Sequence, residues 1–210
     1  MKSRIIIIVL LLALLIAGGQ LYIKASGQQS AATTADNDTV LNAIKNRTSV
    51  RAYKNQPVEK EKVEKLLRAG MAAPSAMDRR PWHFVVVTDK QLLGEIGQAM
   101  PNASYAAKAP LAIVGCGDMN KAIEGKGRDF WVQDCSAATE NILLAAQALG
   151  LGAVWTGAYP GEDRCATLTK LLNLPENLIP LNTIVIGYPA APTTPKDKWD
   201  EDNITYNKFE

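Results

Sequence analysis

The chain is predicted to be α+β, α/β-like in its alternation, with one domain built on a single sheet flanked by helices. Three observations predict this. The 210 residues are 47% hydrophobic and 21% charged, near the globular average, which excludes a disordered or low-complexity chain. Helical and strand-like periodicities alternate from residue 39 onward. Thr183-Ile184-Val185-Ile186-Gly187 is an unbroken apolar run, the pattern of a strand buried on both faces.

The elements follow in order. Val40–Ile44 reads as a short amphipathic helix capped by Asp38 or Thr39. After Pro57, Val63, Leu66, Leu67 and Gly70 recur at helical spacing within Val58–Ala73. His83–Val87 is strand-like, bounded by Pro81 and Asp89. A helix over Gln91–Met100 precedes a second strand, Leu111–Val114, opened by Pro110 and closed by Gly115. The longest helix, Asp129–Leu149, has Gly150 as the residue just past its end. Its apolar positions surround most of the cylinder, which predicts a place at the centre of the core. Gly152–Thr156 is a third strand, Gly161–Leu172 a helix and Thr183–Gly187 the fourth strand. The tail from Pro189 carries three prolines and no periodicity, so it is expected to extend across a surface, its own or a partner's.

The amino-terminal 27 residues differ from the rest. Lys2 and Arg4 precede the thirteen apolar residues Ile5–Ala17, a length of about 20 Å as a helix. That suits a secretory signal, with Ala25-Ser26-Gly27 placing small residues before a cut at Gln28. Extended to Ile23, the same stretch reaches about 28 Å, enough for a single membrane anchor. Both readings export the body to a periplasmic or other extracytoplasmic space, because the basic end stays inside. Residues 28–38 are a polar linker, and 39–210 form the functional domain. The 23 basic and 21 acidic residues give +2, but Lys2, Arg4 and Lys24 leave the body with 20 against 21. A near-neutral body has no general attraction for nucleic acid. Cys116, Cys135 and Cys165 are expected to be small, buried and unpaired, with one disulfide as the alternative. No metal site is expected around the single histidine, His83.

No Gly-x-Gly-x-x-Gly follows a strand, and neither a P-loop nor Gly-x-Ser-x-Gly is present. Three other features carry chemistry. In an extended Arg47-Thr48-Ser49-Val50-Arg51, alternate residues share one face. Two guanidinium forks and a hydroxyl then point together, equipment for a phosphate; a solvated basic face is the alternative. The connector Ala73–Trp82 is held open by Pro74 and Pro81, and its small residues let a planar ring approach the backbone. Lys196-Asp197-Lys198 sets two ammonium groups on one face of the tail.

Taken in order, these features resemble the nitroreductase family of FMN-dependent oxidoreductases. The resemblance runs from about Val40 to Lys198. It includes Arg-x-Ser-x-Arg-x-Tyr at Arg47–Tyr53, Pro-Ser-Ala-Met-x-x-x-Pro-Trp at Pro74–Trp82 and Lys108-Ala109-Pro110. The helix Asp134–Ala146, the stretch Gly150–Gly157 and Ile186-Gly187-Tyr188-Pro189 complete it. It implies a central mixed sheet flanked by helices, and a homodimer with two FMN sites at its interface. By the same resemblance Arg47, Ser49 and Arg51 hold the FMN phosphate and the pyrimidine end, with Lys196 and Lys198 near the phosphate. Pro74, Ser75, Ala76 and Asp78 belong to a loop laid against the isoalloxazine, and Thr156 and Gly157 approach its reactive N5 edge. The implied activity is a two-electron ping-pong cycle in which NAD(P)H, or a quinol for an exported enzyme, reduces the flavin. A small acceptor such as a nitroaromatic or quinone then reoxidises it. The flavin carries the chemistry, so no side chain is assigned as a catalytic acid or nucleophile.

Two departures stand out. The family loop usually reads Asn-x-Gln-Pro-Trp, whereas here it is Asp78-Arg79-Arg80-Pro81-Trp82. A carboxylate beside a reduced flavin disfavours its anion, so Arg80 is expected either to pair with Asp78 or to face the flavin. The stretch Asp118–Gly127, where the family often carries substrate-covering elements, is short and polar. Alternative readings are a non-catalytic exported flavin-binding module and a reductive dehalogenase-like flavoenzyme.

Overall fold

The computed structural model describes residues 39–209. The apolar segment 1–27 and the linker 28–38 therefore lie outside the described residues. Among the described residues no helix is long and apolar enough to cross a membrane. The chain divides into two units, Met1–Asn42 and Ala43–Glu210. In the first, described residues 39–42 are helical.

The second unit opens on helical residues 43–46 (α1) and continues with α2 (Lys60–Met71), β1 (Trp82–Val87) and α3 (Lys90–Ala99). It then runs through β2 (Leu111–Asp118), α4 (Phe130–Ala148), β3 (Gly152–Gly157), α5 (Glu162–Leu172) and β4 (Leu178–Gly187). The four strands form one sheet in the order β1-β2-β4-β3. Every pair of neighbours is antiparallel. The expected mixed character is confined to one parallel bridge, Ser49 to Ala153, outside the named strands.

The alternation of side chains along the central strands builds two cores. Leu111, Ile113, Ile184 and Ile186 turn to one face and meet Leu66, Ile142 and Leu143 from α2 and α4. Ala112, Val114, Cys116 and Val185 turn to the other and meet Leu93, Ile96 and Leu168 from α3 and α5. Burying each of the larger side chains contributes about 1.5–3 kcal/mol. The apolar run 183–187 is thus buried on both faces. On α4 the buried residues Trp131, Asp134, Cys135, Ala138, Ile142 and Ala146 form one stripe, so within a single chain this helix covers the sheet rather than threading the middle of the core.

Two strands are longer than their sequence signals. Gly115 does not end β2, which runs on to Asp118. A Cβ on Gly117 would lie 2.3 Å from Trp131 Cε3, so this glycine admits a ring rather than breaking the strand. β4 begins at Leu178 and includes Pro180, opposite Cys116 where the register shifts between Gly115 and Cys116. Proline is tolerated in a sheet at such an irregularity because a ladder N–H is not needed there. Gly150 has φ 72° just beyond α4, as its place in the sequence predicts. All three cysteines are free; Cys116 and Cys135 are buried and Cys165 is half-buried. Burial pushes the thiols of Cys116 and Cys135 up to about 12.

Candidate active site

The segment after α1 is held as an extended strand-like edge. Val50 N–H donates to Ala153 O at 3.0 Å, and the Val50 side chain is buried. The Tyr53 hydroxyl donates to Val50 O at 2.5 Å, with Val185 O at 3.0 Å as a second acceptor. With Val50 inward, period-two geometry turns Ser49 and Arg51 outward. The tail is tied to the same edge, because Lys54 N–H donates to Tyr188 O at 2.8 Å and Ala190 N–H to Ala52 O at 3.0 Å. Arg47, Ser49, Arg51, Lys196 and Lys198 consequently line one cavity of about 280 Å³, into which no carboxylate projects. Arg47 is steadied from the side by Glu140, Nε to Oε1 3.5 Å. A larger cavity of about 650 Å³ adjoins it, sharing Arg47, Lys196 and Lys198 and bordered by Trp199.

The connector between α2 and β1 is a tight, strained loop. Met77, Asp78 and Arg80 all take positive φ, at 52°, 53° and 48°. Non-glycine residues there cost of order 1–3 kcal/mol each, so the loop must be held. Asp134 of α4 is 6% exposed and its Oδ1 accepts from Ala76 N–H at 2.8 Å. Ser75 Oγ accepts from Arg80 N–H at 2.9 Å. Arg80 pairs with Asp78 through both carboxylate oxygens, with Nε to Oδ1 at 2.7 Å. The first expectation for this pair holds: the charges are joined, and the side chains remain 64% and 71% exposed. The guanidinium hydrogen bond, more than its field, holds the Asp78 carboxyl below the usual carboxylate range.

Pro74, Ser75 and Ala76 line a separate cavity of about 310 Å³ against Phe130, Gln133 and Asp134. Within one chain, loop and cations therefore do not share a cavity. At the end of β3, Thr156 is buried and its hydroxyl donates to Thr183 O at 2.7 Å. Only its backbone is left for a ligand. A Cβ on Gly157 would meet nothing within 4 Å, so open space stands over this glycine.

Comparison with known proteins gives the family. The profile of the nitroreductase family matches residues 44–107 and 98–188. The chain belongs to the nitroreductase family. A relative from Methanothermobacter thermautotrophicus, provisionally named an NADH dehydrogenase/NAD(P)H nitroreductase, is 47% identical over 171 residues, 81% of this chain and 87% of its own. A crystal structure of a protein with the same provisional name from Bacteroides thetaiotaomicron superposes with a TM-score of 0.77 at 50% identity, covering 81% of this chain and 98% of that one. An FMN-dependent nitroreductase from Clostridium difficile superposes with a TM-score of 0.74 at 31% identity, covering 80% and 99%.

In this nitroreductase-family chain three further residues serve the site and escape a reading of the sequence. Asn102 and Tyr105 lie in the 3-10 stretch Pro101–Lys108, between α3 and β2. Asn102 Nδ2 donates to Gly157 O at 2.9 Å, fixing the carbonyl beside the open glycine. The Tyr105 hydroxyl donates to Asn102 O at 2.8 Å. Burial raises the Tyr105 pKa, against the opposing hydrogen bond from Arg51. Tyr105 and Asn102 thus form a two-step chain that ends at the Gly157 carbonyl. The third residue is Asp134, whose loop contact lies 58 positions away in the chain. One of two acids in an otherwise uncharged helix, it carries no pattern that marks a loop contact.

Proposed function

We propose that this chain is an FMN-dependent oxidoreductase that moves two electrons from NAD(P)H to small acceptors such as nitroaromatics or quinones, and that it works as an exported homodimer. The observation that carries the reading is the convergence of Arg47, Ser49, Arg51, Lys196 and Lys198 on one cavity with no carboxylate in its lining. That donor set matches a phosphate dianion in charge and hydrogen-bonding sense. The open face at Gly157 supports the approach of a flat ring to backbone. The residues present therefore fit FMN.

Arg47, Arg51, Lys196 and Lys198 would hold the phosphate, with Ser49 donating a hydroxyl hydrogen bond. Bound FMN supplies two-electron redox chemistry through a hydride accepted and passed on. The chain's own residues bind and orient. Asn102 keeps the end of β3 in place, Asp134 fixes the loop 74–80, and the Asp78–Arg80 pair presents a neutralised rather than an anionic surface. The separate cavities of loop and cations support a site completed by a second copy, whose loop would face this chain's cations. The apolar segment at residues 1–27 supports export.

The test is an absorbance titration of the purified full chain with FMN, followed by anaerobic addition of NADPH. Stoichiometric flavin binding and bleaching of the bound flavin are expected. A chain that binds FMN and stays oxidised with every donor would be a flavin-binding module without turnover. A chain that binds none overturns the oxidoreductase reading.

A further inference from the structure

A second cationic cavity lies at the opposite end of the sheet from Gly157. Val87 ends β1 there opposite Ala112, and Gly152 starts β3 opposite Gly187. The cavity holds about 370 Å³ and shares no residue with the 47–51 and 196–198 site. Lys54, Lys60, Lys90 and Lys108 line it over an apolar floor that includes Val58 and Pro110, and no carboxylate is in the lining. A neighbouring cavity of about 340 Å³ shares Lys90 and Lys108 and extends the groove. The four lysines come from four separate segments. Among the described residues none of them has an ion-pair partner.

Two of these lysines sit where helix physics disfavours them. Lys60 is the first residue of α2 and Lys90 the first of α3. A helix amino terminus already carries partial positive charge, so a cation there is unfavourable. Three carboxylates stand beside these lysines in sequence, Glu59, Glu61 and Asp89, yet none lines the cavity or pairs with either lysine. Asp89 accepts from Leu92 N–H at 2.8 Å, and Glu59 accepts from the Tyr188 hydroxyl at 2.7 Å. Four like charges and two helix amino termini thus gather round one cavity with no carboxylate in its lining. Such a local conflict marks a functional position, and a bound anion would reverse its sign.

We propose that this groove binds a phosphate-bearing ligand with an apolar portion, the phosphate on the lysines and the apolar part against Val58 and Pro110. A soluble phosphate ester and a phospholipid headgroup share that chemistry. The inference does not depend on the flavin reading.

The test uses the FMN-saturated full chain in detergent, with phenyl phosphate as probe in a calorimetric titration. Saturable binding is expected, at least tenfold weaker in Lys90→Glu/Lys108→Glu and unchanged in Lys196→Ala. Absence of binding, or equal binding in the charge-reversed variant, overturns the proposal. Lys90→Gln/Lys108→Gln guards against misfolding: with an unchanged melting temperature, it must still weaken the probe. If the chain takes no FMN, the same titration still separates the two cavities, because each loses the probe only with its own lysines. Vesicles then identify the source. Retention that exceeds the charge-reversed variant's on 3:7 phosphatidylglycerol–phosphatidylcholine, but not on phosphatidylcholine alone, assigns the phosphate to lipid. Equal retention with phenyl phosphate binding intact assigns it to a soluble ester.

Discussion

Four side chains decide most at the residue scale. Arg47 sits half-buried at the junction of the two cavities, and a charge-assisted hydrogen bond contributes about 1.5–3 kcal/mol. Arg47→Ala is therefore expected to weaken FMN binding by roughly 10- to 150-fold, read from quenching of flavin fluorescence. Asp78 and Arg80 neutralise each other. Asp78→Asn leaves the guanidinium uncompensated, so the potential of the bound flavin should rise, and Arg80→Ala should lower it. Because the Asp78 carboxyl is held below its ordinary range, the pair stays charged from about pH 5 to 8, and the difference between wild type and Asp78→Asn should be flat across that window. Spectroelectrochemical titration at several pH values checks both sign and flatness. Asp134→Ala leaves the Ala76 N–H without its acceptor, costing about 1–3 kcal/mol. Asp134→Asn, which still offers an oxygen, should recover most of that in urea unfolding.

At the element scale, the seam between Val50 and Gly152 holds the proposed phosphate-binding segment to the sheet. A Cβ on Gly152 would stand 2.7 Å from three atoms of the Val50 side chain. Gly152→Ala is expected to destabilise the fold by about 1–3 kcal/mol through overpacking, and to weaken flavin binding as well, since the displaced segment carries Ser49 and Arg51. Thermal melts with and without FMN separate the two effects. Elements whose signal is local were legible in the sequence: the helices by their periodicity, the apolar run 183–187, the Gly150 terminator and the outward alternation of Ser49 and Arg51. What escaped depends on partners far along the chain. Pro180 inside β4 is permitted by a register shift set by β2, and Gly115 and Gly117 resemble strand breakers until Asn182 and Trp131 are seen packed on them. The stretch Pro101–Lys108 has neither period, so its two site residues left no pattern to find.

For the whole molecule, the proposed reading makes assembly and topology testable. The tail from residue 190 is exposed throughout its described length, with Trp199, Tyr206 and Phe209 at 72%, 83% and 86%. Three exposed aromatics on one extended tail make it a candidate contact surface. Sedimentation of the FMN-loaded chain should give twice the 22.7 kDa of one chain, and removal of residues 199–209 should reduce the dimer fraction. The proposed export sets the donor a sharper question, since reduced nicotinamide is chiefly an intracellular reductant. Anaerobic comparison of NADH, NADPH and a quinol on the same flavin answers it.

The buried thiols bear on that question from another side. Cys116 and Cys135 are closed off from solvent, with pKa values near 12, so neither offers a thiolate to an oxidant or an isomerase. In the folded body these two thiols would stay reduced whether the surrounding space is oxidising or reducing, and the half-buried Cys165 is the one such a space could reach.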